Sequence, residues 1–258
     1  MPWPDLSRVE SQLHTETLGR RLVYYSSVGS TQDVARQEAA AGAPEGTIVL
    51  ADEQTAGRGR LGRSWASPPG TNIYVTLVLR PSLEVLRRLS IVAPLAVSLA
   101  IEERTGLRAG IKWPNDVWIG ERKVAGILIE SELVEGRVLF SLVGIGLNVN
   151  MDVAAIPEIA DIATSLRHEL GREVSREDVL ASLLDHFERL YRAAGRGEPV
   201  HLAWRERLIV LGRPVRVGLP DRVEEGVAED VDENGCLLLR RADGSLVTIE
   251  AGDVTLRA

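Results

Sequence analysis

Apolar positions along the chain fall into two periods, and each change of period marks an element. Residues 21–28 (RLVYYSSV) are rich in Tyr and Val and predict a strand. A helix is predicted from Ser30 to Ala41, because Ser30 with Asp33 makes a capping-box pattern and Gly42 with Pro44 ends it. Residues 47–53 (TIVLADE) and 72–79 (NIYVTLVL) predict two more strands. Residues 82–104 read as helical, broken or restarted at Pro94 and closed by Gly106. Three strand-like runs follow at 111–119, 123–132 and 137–148, with Gly120-Glu121 and Glu135-Gly136 as the turns between them. Strands in succession predict a mixed or mostly antiparallel sheet, not a doubly wound one.

Residues 175–191 carry Val179, Leu180, Leu183, Leu184, Phe187 and Leu190 at helical spacing, with Ser175 and Asp178 as the cap. Past Leu211 the character changes. Residues 213–256 hold four or five short β-branched runs, punctuated by the hairpin signals Asn234-Gly235 and Asp243-Gly244. This predicts a body over residues 1–210 and a small barrel over 211–258.

Composition narrows the function more than the fold. The 258 residues suffice for one large domain or two, and 45% hydrophobic with 26% charged is ordinary for a globular chain. A net charge of −7 argues against a chain that coats nucleic acid or acidic membranes. A lone cysteine, Cys236, excludes an intramolecular disulfide framework and a Cys-rich metal site, and is best read as a small buried strand residue. The start, MPWPDLSRVE, shows no signal-peptide pattern, and no run approaches the roughly 20 apolar residues of a membrane span. A cytoplasmic location is the expectation.

Candidate chemistry concentrates in four clusters. The first is Gly57-Arg58-Gly59-Arg60-Leu61-Gly62-Arg63. Its glycines let backbone approach a ligand, and its guanidinium groups bind phosphate through paired, charge-assisted hydrogen bonds. The same letters match the dinucleotide fingerprint G-x-G-x-x-G. That fingerprint needs a helix opening at the loop, yet Pro68-Pro69-Gly70 follows, so it is rejected. The second is Lys112-Trp113-Pro114-Asn115-Asp116 with Lys123-Val124-Ala125-Gly126-Ile127-Leu128. Read alone, Asp116 fits a turn and Lys123 an exposed lysine, while Gly126 in mid-strand marks a close approach by another group. The third, Gly144-Ile145-Gly146-Leu147-Asn148-Val149-Asn150, reads as a turn at a strand end. The fourth, Gly29-Ser30-Thr31-Gln32, opens the first helix, where hydroxyls and amides suit a polar head group or merely cap the helix.

In this order and spacing, GSTQ, EQTAGRGRLGRSW, KWPND, KVAGILIE and GIGLNVN resemble the biotin–protein ligases, from about Tyr25 to Arg167 and through the C-terminal barrel. The resemblance implies an α+β fold: a mixed, mostly antiparallel sheet flanked by helices, as in class II synthetase-like ligases, followed by a small SH3-like β-barrel. It implies an ATP-dependent enzyme that makes biotinoyl-AMP and transfers biotin to a lysine of a biotin carboxyl carrier protein, with Mg²⁺ assisting. By the same resemblance Ser30, Thr31, Gln32, Gln54, Arg58, Gly59, Arg60 and Lys123 contact biotin. Arg58, Arg60, Arg63, Trp65, Lys112 and Asn148 meet the ATP or adenylate, with Trp65 packing over the ligand and Asn148 near the adenine or a metal. Lys123, Arg60 and Asp116 form the catalytic set, and metal ligands are unassigned. GSTQ begins at Gly29, too early for the winged helix of about 60 residues found in many relatives, so an enzyme-only type is expected, without nucleic-acid or membrane partners. A homodimer stays open.

Neither half-reaction requires an enzyme nucleophile. The first needs two anions held in line and charge neutralised on the transferring phosphoryl group. The second needs a neutral amine, which Asp116 either orients or deprotonates. The histidines His14, His168, His186 and His201 form no cluster in the sequence. The barrel carries no catalytic-looking residue, which suggests support for the nucleotide side or carrier docking. Two alternatives remain at this point: a lipoate or octanoate ligase, and a non-catalytic biotin or nucleotide sensor.

Overall fold

The structure, a computed structural model, describes residues 4–256. A short helix α1 (Leu6–Gln12) leads into β1 (Arg21–Val28), α2 (Thr31–Ala40), β2 (Thr47–Gln54) and β3 (Ile73–Leu79). The long helix α3 (Leu83–Thr105) follows, then β4 (Gly110–Lys112), β5 (Asp116–Ile119), β6 (Arg122–Val134) and β7 (Arg137–Leu147). These strands form one seven-stranded sheet in the order β1-β2-β3-β7-β6-β5-β4. Only β1 and β2 pair in parallel; the other neighbours are antiparallel. The expected mixed, mostly antiparallel sheet flanked by helices is therefore present.

Alternation along the strands divides the apolar residues between two faces. Ile48, Leu50, Val75, Leu77, Val143 and Ile145 join the main core with α3 and with α5 (Arg176–Gly195). Val49, Val78, Phe140 and Leu142 pack on the other face against Ala35 and Ala39 of α2. Helix α2 covers only one end of that face, and the uncovered end becomes the site described below.

Local expectations changed at three places. Helix α3 runs unbroken through Pro94. Residues 91–97 are all buried, and that apolar packing outweighs the roughly 3 kcal/mol that an interior proline costs. The run 111–119 is two strands, β4 and β5, because Pro114 has no amide to donate to a ladder and the chain turns there. The turn sets Lys112 directly opposite Asp116. At α2 the capping box is half formed: Ser30 Oγ accepts from the Gln32 amide at 3.3 Å, while the Asp33 carboxylate faces Arg58. Helices α1, α4 (Leu166–Leu170) and α6 (Val200–Arg205) are too short to show a period and escaped the sequence reading.

The C-terminal β-rich segment is β8 (Pro214–Gly218), β9 (Val223–Val231), β10 (Leu237–Arg240), β11 (Leu246–Ile249) and β12 (Asp253–Leu256). It forms a five-stranded antiparallel sheet in the order β11-β10-β9-β8-β12. Gly235 and Gly244, with φ of +83° and +84°, sit in two of its hairpin turns as their dipeptides predicted. Its core is continuous with that of the body: Val215, Val217, Leu237 and Leu239 share one apolar cluster with Ile91 and Trp113. The buried Trp113 indole N–H donates to Gly235 O at 2.9 Å.

Residues 16–18 are strapped to α5 by one carboxylate. Glu188, 5% exposed, accepts the amides of Glu16, Thr17 and Leu18 at 2.7, 3.0 and 2.7 Å. Among the described residues, no helix is long and apolar enough to cross a membrane.

Candidate active site

The uncovered end of the sheet is bare because glycines replace side chains there. Gly126 of β6 and Gly146 of β7 are cross-strand partners, and Gly144 pairs with Leu128 two positions along. The indole of Trp65 lies across the first pair: a Cβ on Gly146 would stand 2.4 Å from Trp65 Nε1, and one on Gly126 would stand 3.0 Å from Cζ3. The Gln32 side chain lies over Gly144, where a Cβ would meet its Cδ at 3.1 Å. The glycines of KVAGILIE and GIGLNVN are thus the floor of a cavity of about 420 Å³. That size suits a small-molecule site.

One end of the cavity is neutral and hydrogen-bonding. The Thr31 amide and hydroxyl donate to Gln54 Oε1 at 2.9 and 3.1 Å, and Thr76 Oγ1 donates to Thr31 Oγ1 at 2.9 Å. Gln54 Nε2 donates to Ser67 Oγ at 3.0 Å. Gln32 Nε2 reaches Leu128 O and Glu130, while its Oε1 is buried without a partner. A buried acceptor left open in a cavity wall invites a donor from a ligand. Ser30, 2% exposed, spends its hydroxyl on the helix cap.

The other end is charged. Lys123 Nζ lies 2.8 Å from Asp116 Oδ1 and 5.2 Å from the Trp65 ring centre. Lys123 is fixed by its backbone, which donates to Ile162 O and accepts from the Thr164 amide at 2.9 and 2.8 Å. Lys112 Nζ sits 4.6 Å from the Trp118 ring centre, and burial lowers its pKa. Arg60 is also pushed down by burial. It donates to Asn115 Oδ1 at 2.8 Å and to Gly252 O at 3.3 Å.

The arginine loop is a small hairpin. Gly59 N–H donates to Arg63 O at 2.7 Å and Trp65 N–H to Gly57 O at 2.9 Å, leaving Leu61 at the tip with φ +55°. Gly57 has no room for a side chain, since a Cβ would stand 2.5 Å from Trp65 O. Arg58 turns to the mouth and pairs with Asp33 at 2.7 Å and Glu130 at 3.5 Å. Arg63 pairs with Asp253 of β12.

Sequence and fold comparisons identify the relatives of this chain. Residues 24–150 match the profile described as "Biotin/lipoate A/B protein ligase family", and residues 210–257 match "Biotin protein ligase C terminal domain". The bifunctional ligase/repressor BirA of Bacillus subtilis is 38% identical over 255 residues, covering 97% of this chain and 78% of that protein. The chain belongs to the biotin protein ligases. Another member, the biotin–[acetyl-CoA-carboxylase] ligase of Paracoccus denitrificans, is 39% identical over 80% of this chain and 88% of its own length. In three dimensions the chain is similar to the Aquifex aeolicus biotin protein ligase solved with biotin and ATP, with a TM-score of 0.78 and 33% identity over 92% of this chain and 99% of that one.

All thirteen residues singled out in the sequence line the one cavity. Asn148 does so with both polar ends engaged: Nδ2 donates to Thr164 O at 3.0 Å, and Oδ1 accepts from Asn72 at 3.3 Å. In this biotin ligase it ties the end of β7 to the segment before α4. Sequence reasoning gave Asn115 of the KWPND motif no role and missed Trp118, Ile159, Ile162, Asp253 and Thr255, all of which also line the cavity. Asp253 gave no signal of its own, and only the fold brings Asn115 to Arg60 and Asp253 to Arg63.

Among the described residues, no group of three or more His, Cys, Asp or Glu gathers to hold a metal. The cavity has two carboxylates, Asp116 and Asp253, each already paired with a cation. That donor set fits a Mg²⁺ ion carried in on nucleotide phosphates, which needs only one or two carboxylates from the protein.

Proposed function

We propose that this chain binds biotin at the Thr31–Gln54 end of the cavity and ATP at the Lys123 end, forms biotinoyl-AMP, and transfers biotin to a lysine of a carrier protein. The ligase class follows from the family; the residue roles are our reading. One observation carries it: a neutral hydrogen-bonding end and a cationic end meet in one cavity over a floor of glycines. Biotin's fused ring is neutral and polar, and its carboxylate must reach the α-phosphate. The two ends match that order.

In the first half-reaction the biotin carboxylate attacks the α-phosphorus and pyrophosphate leaves. Lys123 offers a compact charge between carboxylate and phosphate, and Arg60, Arg63 and Lys112 neutralise the nucleotide side. Arg58 and Gly59 close the loop over the acid. Mg²⁺, when bound, supplies further neutralisation on the phosphates. In the second half-reaction the acceptor amine adds to the acyl carbon and AMP leaves. Asp116 is the carboxylate placed to receive or orient that amine's proton. Trp65 walls the acyl chain and keeps water from it.

The acceptor we assign is a biotin carboxyl carrier protein or domain, and ATP use carries a cytoplasmic setting with it. Residues 1–210 act as the ligase unit and 211–258 as its C-terminal unit. The C-terminal match and the named relatives favour biotin over lipoate. The intact Lys123–Asp116 pair favours an enzyme over a sensor. Pyrophosphate exchange with biotin, lipoate or no acid tests all three. Exchange that depends on lipoate, or on neither acid, would sink the proposal.

A further inference from the structure

The arginine loop is fastened to the second sheet at two points. Arg60 Nη2 donates to Gly252 O at 3.3 Å, and Arg63 Nη2 donates to the Asp253 carboxylate. The two fastenings differ in kind. Arg60 is also gripped by Asn115 and is partly buried, whereas the Arg63 and Asp253 side chains are 67% and 44% exposed. An exposed ion pair is screened and weak, which suits a catch that opens in every turnover. Asp253 also lines the cavity, and nothing in the sequence of β12 marks it as functional.

We propose that Asp253 is a positioning residue: through Arg63 it latches the loop over residues 57–63 shut on the acyl-adenylate. This rests on the ligase reading above, because it concerns the fate of the intermediate. With the mouth open, water adds to the acyl carbon, the bond to the phosphate oxygen breaks, and biotin and AMP leave with no protein modified. The latch suppresses that wasteful turnover. The acyl transfer itself does not use Asp253.

The test uses the full chain with biotin, ATP and Mg²⁺ but no carrier, and reads AMP release beside biotin-dependent pyrophosphate exchange. Asp253→Asn keeps the shape of the side chain and removes its charge. It should release AMP several-fold faster than the parent while exchange stays within about twofold. Asp253→Ala should behave alike, with thermal melting as the control for folding. Arg63 also meets the nucleotide, so leak is read per adenylate formed; on that scale Arg63→Ala should leak too, and the double variant should leak no more than the leakier single, since one contact is lost only once. Raising salt from about 0.05 to 0.5 M should increase the parent's leak and leave that of Asp253→Asn unchanged. Parent-like retention of the adenylate by a folded Asp253→Asn, or single effects that multiply in the double variant, would overturn the latch. If the parent shows no biotin-dependent exchange, the ligase reading falls first and the latch with it.

Discussion

Gly126 and Gly146 face each other across β6 and β7, and the Trp65 indole lies over both. The two positions are not equally tight. A methyl group on Gly146 meets the rigid indole at 2.4 Å, whereas one on Gly126 meets the ring edge at 3.0 Å and the end of the Lys123 side chain at 3.1 Å. Gly146→Ala should therefore displace Trp65 and slow biotin-dependent exchange about five- to a hundredfold, the equivalent of roughly 1–3 kcal/mol of overpacking. Gly126→Ala should cost less. Exchange rates of the two variants check the order, and a Gly146→Ala enzyme at parental rate would refute the crowding argument.

Lys123 is held rather than free, with Asp116 at 2.8 Å and a backbone pinned on both sides. Lys123→Ala should lower pyrophosphate exchange by about a hundredfold, or roughly 3 kcal/mol, with the fold intact by circular dichroism. Lys123→Arg should recover little, because a planar guanidinium cannot take the place of a compact ammonium beside Asp116. Near-parental exchange by the alanine variant would return Lys123 to the class of surface lysines.

Burial pushes the Cys236 thiol up to about 11, and Asp232 and Glu250 add to the effect. The thiolate is the reactive form, and at neutral pH its fraction falls about tenfold for each unit that the pKa rises. Alkylation by iodoacetamide at pH 7.5 should be roughly ten times slower than for an ordinary thiol, because a thiolate of higher pKa is also the stronger nucleophile. The rate should keep climbing past pH 10. A plateau by pH 10 would show an unshifted group.

Most of the fold was legible because it depends on long periods and strong turn signals, as in α5 and the Asn234-Gly235 hairpin. The misses have physical causes. Pro94 reads as a break from local chemistry, and only burial of residues 91–97 on both sides of it overrides that. The split at Pro114 follows from its missing amide, yet an unbroken apolar run hid it. At the site, motif residues were visible because their types are chemically loaded. Their counterparts Asn115 and Asp253 lie 55 and 190 residues from the arginines they hold, and no local pattern links such distant positions.

Leu61 at the tip of the arginine loop is 72% exposed, and two of the ties that hold the loop, Arg58–Asp33 and Arg63–Asp253, are exposed ion pairs. A segment so lightly held opens often unless a ligand adds contacts. Trypsin should cut after Arg58, Arg60 or Arg63 in the free enzyme and more slowly with biotin and ATP together. Equal cleavage in both states, followed by mass spectrometry of the fragments, would contradict a ligand-closed loop.

The second sheet carries no separate core, which changes the expected result of removing it. Its residues Val215, Val217, Leu237 and Leu239 share one apolar cluster with Ile91 and Trp113 of the body. Deleting residues 212–258 uncovers that cluster, and exposed apolar area destabilises at about 25 cal/mol per Å². The truncated chain should therefore lose cooperative melting and biotin binding together, instead of losing ATP use alone. Trp113→Phe offers a graded version of the same test. It keeps an aromatic ring in place, removes the donor to Gly235 O, and leaves that carbonyl unpaired beside a buried ring. An unsatisfied buried group costs about 1–3 kcal/mol, which for a chain of this size lowers the melting temperature by roughly 2–12 °C. Biotin binding below the new melting point should persist, because Trp113 lies behind the cavity wall and lines no part of it. A truncated chain that melts cooperatively and binds biotin like the parent would show that the body stands alone and that the shared cluster contributes little.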